Sequence, residues 1–135
     1  MMTLQDQVIG ALTAWRENRG GGTLGMQSVI NVLQNRAAKR GTSVYEEAVR
    51  KWQFSSMTAP GDPNLILYPT LHASTSTDYL AWEEAQKLAT QAAEGTLADL
   101  TGGATSYYAQ SMATPPSWTS TMKQTCIISN QIFFK

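Results

Sequence analysis

The sequence predicts a mostly α-helical single domain with long aromatic loops, and three observations carry that expectation. Apolar residues recur at helical spacing through residues 4–37 and again through residues 81–92. Glycines stand where those segments end, at Gly20 to Gly22, Gly41 and Gly95. Residues 104–135 contain no acid and are rich in aromatic and hydroxyl side chains. A chain of 135 residues and 14.7 kDa is one domain's worth, so 1–135 is read as a single unit. With 42% hydrophobic residues and four tryptophans it can fill a core.

The first helix is expected from about Thr3 to Glu17, with Leu4, Val8, Ala11, Leu12 and Trp15 as its apolar stripe. Glu17 falls on another strip, shared with Gly10 and Thr13. A second helix follows the glycines, from about Leu24 to Lys39, with Val29, Ile30, Leu33 and Ala37 on one face. Ser43 and Glu46 then have the spacing of a capping box, in which each side chain satisfies a backbone N–H freed by a helix start. That third helix is expected to end near Trp52. Pro60, Gly61, Pro63 and Pro69 forbid a long regular element between Gln53 and Thr77, which predicts a surface excursion with short turns. "DYLAWEEAQKLATQAAEG" forms the fourth helix, with Ala81, Ala85, Leu88, Ala89 and Ala92 inward. "ATSYYAQSM" and "CIISNQIFFK" are β-prone or irregular, and Pro115 and Pro116 separate them.

Composition removes several function classes. Ten basic and ten acidic residues cancel, and the cations are scattered except for Arg36 to Arg40, at a helix end where the dipole suits them. No basic stripe marks a nucleic-acid binder. One cysteine, Cys126, excludes an internal disulfide, and with one histidine, His72, there is no Cys/His zinc set; no metal or cofactor is expected. A Ser-His-Asp triad would have to use His72, in the loop-like run "LYPTLHASTS". "GGGTLGMQS" lacks the lysine of a nucleotide phosphate loop. No apolar run reaches the roughly twenty residues of a membrane span. The amphipathic, acid-containing start differs from a secretory signal, so synthesis in the cytoplasm without a signal peptide is expected, as is a monomer.

Among the acids, Glu46, Glu47, Glu83, Glu84 and Glu94 fall on helix surfaces or near caps, Asp62 on a turn and Asp78 in the first turn of a helix. Asp6 lies on the first helix and Asp99 near a glycine pair. Glu17 differs, because it closes a helix before a glycine run. A helix C-terminus disfavours a carboxylate and so does a cleft, which together favour the neutral acid needed to protonate a glycosidic oxygen. The same position also suits a solvated surface glutamate. Tyr107, Tyr108, Trp118, Phe133, Phe134, Phe54 and Trp52 supply aromatic faces, mostly for the core. The tyrosines of "GATSYYAQ" are the better candidates for a ligand wall.

Four stretches in register resemble the SleB-type (spore cortex-lytic) cell-wall hydrolase family. Glu17, Arg19, Gly20, Gly25, Asn35 and Arg36 occupy the positions of its Glu-x-Arg-Gly segment and of a helix ending in Asn-Arg. Gln53, Phe54 and Ser55 match its Gln-Phe-Ser signature. "GGATSYYA" matches a Gly-Ala-Thr-x-aromatic-Tyr-Ala stretch, followed by Pro116 and Trp118, and "ISNQIFFK" resembles the closing segment. The resemblance implies a compact, lysozyme-like (α+β) fold and lytic cleavage of the β-1,4 bond between N-acetylmuramic acid and N-acetylglucosamine in peptidoglycan glycan strands. It implies Glu17 as the catalytic acid and Gln53, Phe54, Ser55, Thr105, Tyr107 and Tyr108 as substrate-binding residues. The chain departs from the family at three positions. Gly21 replaces a second glutamate, Gln131 a closing histidine and Phe134 a final tyrosine. A minimal catalytic domain of this kind is similar to bacteriophage lysins that act on the wall after release or from the virion. The alternative is a peptidoglycan-binding or virion protein that keeps the fold without turnover.

Overall fold

Helix α1, Leu4–Asn18, starts where Thr3 and Asp6 cap each other. Thr3 Oγ1 accepts the Asp6 N–H at 3.1 Å, and Asp6 Oδ2 accepts the Thr3 N–H at 2.8 Å. The other Asp6 oxygen accepts the Tyr45 N–H at 2.8 Å, which ties α1 to the short helix α3, Val44–Ala48. Burial pushes the Asp6 pKa up, but these backbone donors outweigh it and hold the carboxyl below its ordinary value. The computed structural model describes residues 1–69 and 77–135, so His72 and part of the expected excursion lie outside the described residues.

The buried face of α1 is rotated from the expected stripe. Leu4 and Val8 are 75% and 51% exposed, whereas Ala11, Thr13, Ala14 and Trp15 are buried. The reason is close approach: a Cβ on Gly10 would already touch Val44 at 3.4 Å, so small residues face inward here. The Thr13 hydroxyl is satisfied by the Ile9 carbonyl at 2.7 Å. The strip that carries Glu17 therefore points into the molecule.

A 3-10 turn, Arg19–Gly21, leads directly into α2, Gly22–Arg40, which ends at Gly41 in the left-handed conformation with φ 69°. Val29, Ile30, Leu33 and Ala37 are buried, as their spacing predicts. Helix α3 is only Val44–Ala48, shorter than expected. The chain turns at Trp52, with φ 70°, and this brings Phe54 into the core at 1% exposure. Ser43 caps α3 through the Glu46 N–H at 3.0 Å. Glu47, expected on the surface, is fully buried. Thr42 donates to it at 2.7 Å and Arg50 at 2.9 Å, with Arg40 at 3.7 Å, and those donors make the burial tolerable.

A short helix, α4 (Ser55–Thr58), and a 3-10 turn, Pro63–Ile66, break up the excursion. Helix α5, Thr77–Glu94, buries Ala85, Leu88, Ala89 and Ala92, leaves Ala81 half-buried and stops at Gly95. Its alanines let it lie close against α1 and α2, and the three helices enclose Trp15, Met26, Ile30 and Leu33. Among the described residues no helix is long and apolar enough to cross a membrane.

Strands β1 (Ser106–Ala109), β2 (Gln124–Ile128) and β3 (Gln131–Phe134) form an antiparallel sheet in the order β1-β3-β2. Ser129 and Asn130, both with positive φ (47° and 65°), make the two-residue turn between β2 and β3. A row of amides on α2 docks the loop before β1. Gln27 and Asn31 donate to the Ala98 carbonyl at 2.9 and 3.1 Å, and Asn35 donates to the Ala104 carbonyl at 2.9 Å. These bonds fix where β1 meets the helices. The fold is mostly α with a small sheet, an α+β arrangement.

Candidate active site

Glu17 occupies the last turn of α1, half-buried, with its strip turned inward. Across from it, alternation along β1 sends Tyr107 toward the helices and Tyr108 to the opposite face. The Tyr107 hydroxyl donates to Glu17 Oε1 at 2.8 Å. The Tyr107 ring lies between Phe54, at 6.5 Å between centroids, and Phe133, at 5.4 Å. Burial raises the Tyr107 pKa well above its ordinary value, and the neighbouring Glu17 carboxylate pushes the same way. The phenol therefore keeps its proton and stays a donor to Glu17. No other described residue bonds the second carboxylate oxygen.

A groove of about 400 Å³ opens against this pair, with Arg36, Gln53 and Ser55 in its wall and Lys51 and Trp52 at its edge. Glu17 also borders a second recess, of about 430 Å³, formed with Arg19, Gly20, Asn64 and Asp78. Two arginines of the α1 terminus hold the wall in place. Arg16 donates to the Leu67 and Ser56 carbonyls at 3.1 and 3.3 Å, and Arg19 donates to Asn64 at 3.1 Å. Arg36, the first of the cations clustered at the helix end, is buried. Its guanidinium lies 4.9 Å from the Phe54 ring centroid and its Nε donates to the Thr105 carbonyl.

The structure brings Glu17, Gln53, Ser55 and Tyr107 to one groove. Phe54 lies beneath it, supporting Tyr107 and Arg36, with no surface to offer a ligand. Thr105 lies on a separate recess of about 250 Å³, beside Lys39 and Arg40, that shares only Arg36 and Gln53 with the groove. Tyr108 is outside the groove, stacked 5.8 Å from Phe134 and edge-on to Trp118 at 6.1 Å. Trp52, grouped by sequence with the mostly core aromatics, is 84% exposed.

The remaining acids near the motifs are engaged elsewhere. Asp62 accepts the Ser55 hydroxyl at 2.7 Å and the Asn64 N–H at 2.8 Å, bonds that hold its pKa below the ordinary carboxylate value. Asp99 accepts the Thr101 and Gly103 N–H groups at 2.8 and 2.9 Å. Burial pushes its pKa up, but those donors and Asn35 bring it below ordinary. Among the described residues, Glu17 is the one carboxylate in the groove beside Tyr107. No cluster of three or more His, Cys, Asp or Glu side chains able to hold a metal is found among the described residues.

Of the three positions that the resemblance marks as departures, Gly21 and Phe134 have local explanations. A Cβ on Gly21 would come within 2.5 Å of Asn18 Oδ1, and one on Gly25 within 2.7 Å of Asn18 Nδ2, so the Asn18 side chain fills the space over both glycines. The Ser129 hydroxyl donates to the Gly21 carbonyl at 3.1 Å and ties the β2–β3 turn to the glycine run. Phe134 is buried against Tyr108 and Trp118. Gln131 lies on β3, half-buried.

A family model described as Cell Wall Hydrolase matches residues 20–134, nearly the whole chain. The protein belongs to the cell wall hydrolase family. The match begins just after Glu17 and includes Gln53, Ser55 and Tyr107. Degradation of the cell wall, with peptidoglycan as substrate class, follows from the family. The structure of this cell wall hydrolase is similar to the catalytic domain of the germination-specific lytic transglycosylase SleB from Bacillus anthracis. The TM-score is 0.72 at 24% identity, over 98% of this chain and 96% of that one. The two share a fold. No curated protein sequence matches this chain.

Proposed function

We propose that this cell wall hydrolase is a lytic transglycosylase that cleaves the bond between N-acetylmuramic acid and N-acetylglucosamine with Glu17 as its one catalytic carboxyl. The observation that carries the reading is the groove itself: one carboxylate, oriented by a half-buried tyrosine whose hydroxyl is 2.8 Å away, with Asp62 and Asp99 committed to loop caps and Asp78, on the second recess, paired with Arg19 at 3.5 Å. A glycosidase that releases a hydrolysed sugar normally needs a second carboxyl to activate water or to form a covalent intermediate. A transglycosylase does not, because the sugar supplies its own nucleophile.

In the first step the protonated Glu17 gives its proton to the glycosidic oxygen, and the bond from C1 of the muramic acid breaks. The leaving N-acetylglucosamine departs with a free 4-hydroxyl. Glu17, now a carboxylate, takes the proton of the muramic acid 6-hydroxyl as O6 closes onto C1. The product has a 1,6-anhydro end, the acid is regenerated, and no water is consumed. Tyr107 holds Glu17 Oε1 through both steps and leaves the other oxygen for proton transfer. Glu17 borders two recesses, which suits a strand that continues past the scissile bond. Gln53 and Ser55, in the same wall, orient the sugar.

Glu17→Gln tests the reading. It keeps the shape and a hydrogen-bond acceptor for Tyr107, but it has no carboxyl proton to give. Clearing of purified peptidoglycan should fall by at least the roughly hundred- to ten-thousandfold typical of a lost general acid. Clearing within a few-fold of wild type would overturn the assignment. The same activity would serve bacteriophage lysis or wall penetration, and clearing of intact cells by added protein measures that role separately.

A further inference from the structure

Trp52 combines three properties that packing does not explain. Its side chain is 84% exposed, its backbone has φ 70°, and it stands at the edge of the groove that holds Glu17 and Tyr107. The left-handed region is costly for a bulky side chain, and glycine adopts it freely. A turn that only had to redirect the chain from α3 to Phe54 would be better served by glycine. A large indole held in solvent on such a backbone gains nothing from burial in the free protein. Strain retained beside a groove points to a ligand contact.

The surroundings define the contact. The Lys51 ammonium sits 5.2 Å from the Trp52 ring centroid, which steadies the indole from one side while most of the ring remains in solvent. The groove wall also carries Gln53 and Ser55, an amide and a hydroxyl suited to hydroxyl and acetamido groups. A flat apolar ring beside a few convergent polar groups is what a pyranose needs. Its C–H face packs on the ring while its hydroxyls find hydrogen bonds. We propose that Trp52 is a sugar-stacking platform that seats one residue of the glycan strand beside Glu17, making it a substrate-positioning residue of this site. This rests on the function proposed above.

The test separates the two claims by measuring binding without turnover. In the Glu17→Gln background, the affinity for a peptide-free tetrasaccharide of alternating N-acetylglucosamine and N-acetylmuramic acid is measured by calorimetry, with and without Trp52→Gly. Loss of one stacking contact should weaken binding about tenfold. The melting temperature should hold or rise, because glycine relieves the left-handed backbone. Trp52→Phe should recover most of the affinity. Equal binding by Glu17→Gln with and without Trp52→Gly would overturn the platform and leave the function standing. A clear fall in melting temperature with Trp52→Gly would show that the indole serves the fold, and would also overturn it. Failure of Glu17→Gln itself to bind the tetrasaccharide would overturn the platform together with the function it rests on.

Discussion

Tyr107→Phe removes one oxygen and leaves the ring between Phe54 and Phe133. The deleted group is a half-buried hydroxyl that donates to Glu17 Oε1 at 2.8 Å. Hydrogen bonds to charged groups contribute about 1.5–3 kcal/mol. If that contact orients Glu17 in the transition state, kcat should fall roughly 10- to 150-fold, at about 1.4 kcal/mol per decade. Both ring contacts survive, so the melting temperature should fall by no more than about 5–10 °C, the shift that losing the one bond accounts for. Dye-labelled peptidoglycan release gives kcat, and scanning calorimetry gives the stability. The raised Tyr107 pKa adds a second signature. An unfolded tyrosine ionises near pH 10, whereas the folded one holds its proton to higher pH. Stability from this group is complete below about pH 10 and is lost as pH rises above it, because only the unfolded chain releases the proton. Tyr107→Phe should remove that part of the alkaline loss. A kcat within twofold of wild type would refute the orienting role. A large activity loss that merely followed a collapse in melting temperature would refute it as well.

Glu47→Gln replaces a fully buried carboxylate held by Thr42, Arg50 and Arg40. Burial raises the Glu47 pKa, but the bonds from Arg50 and Thr42 bring it below ordinary, so its stabilisation is present above the unfolded value of about 4.3 and is lost as pH falls through the folded one. Glu47→Gln should cost about 2–3 kcal/mol at neutral pH in urea titrations, with the two curves converging at low pH; parallel curves would contradict this. Gly21→Glu places a glutamate where the sequence resemblance implies one, but its Cβ meets Asn18 Oδ1 at 2.5 Å. It should lower the melting temperature alone and recover when combined with Asn18→Ala; additive effects of the two changes would show that they do not share the space.

Helices α2 and α5 were legible because their large or tightly spaced apolar residues all face one core. The face of α1 was not, because hydrophobic spacing favours Leu4 and Val8, whereas packing favours the small residues that let helices approach. The early end of α3 follows from the turn at Trp52 and the burial of Phe54, neither of which local spacing encodes. Glu47 reads as a surface acid until its donors are in place.

For the site, the motifs put Glu17, Gln53, Ser55 and Tyr107 in view, but the Glu17–Tyr107 pair spans 90 positions and only the fold joins it. Two adjacent tyrosines cannot both face inward from a strand, and pairing of Tyr107 with the buried Phe133 decides which does. The sequence does carry one further signal: Gln27, Asn31 and Asn35 recur every four residues, a polar stripe along α2 that docks the 98–104 loop.

The most direct test of the central claim is mass spectrometry of the fragments that the wild-type protein releases from purified peptidoglycan. A single carboxyl working with the muramic acid 6-hydroxyl predicts 1,6-anhydro ends, lighter by one water than hydrolysed fragments, with the same products strongly reduced for Glu17→Gln. Reducing muramic acid ends as the main product would contradict the account, because water activation would then require a second carboxyl that the groove beside Tyr107 does not hold.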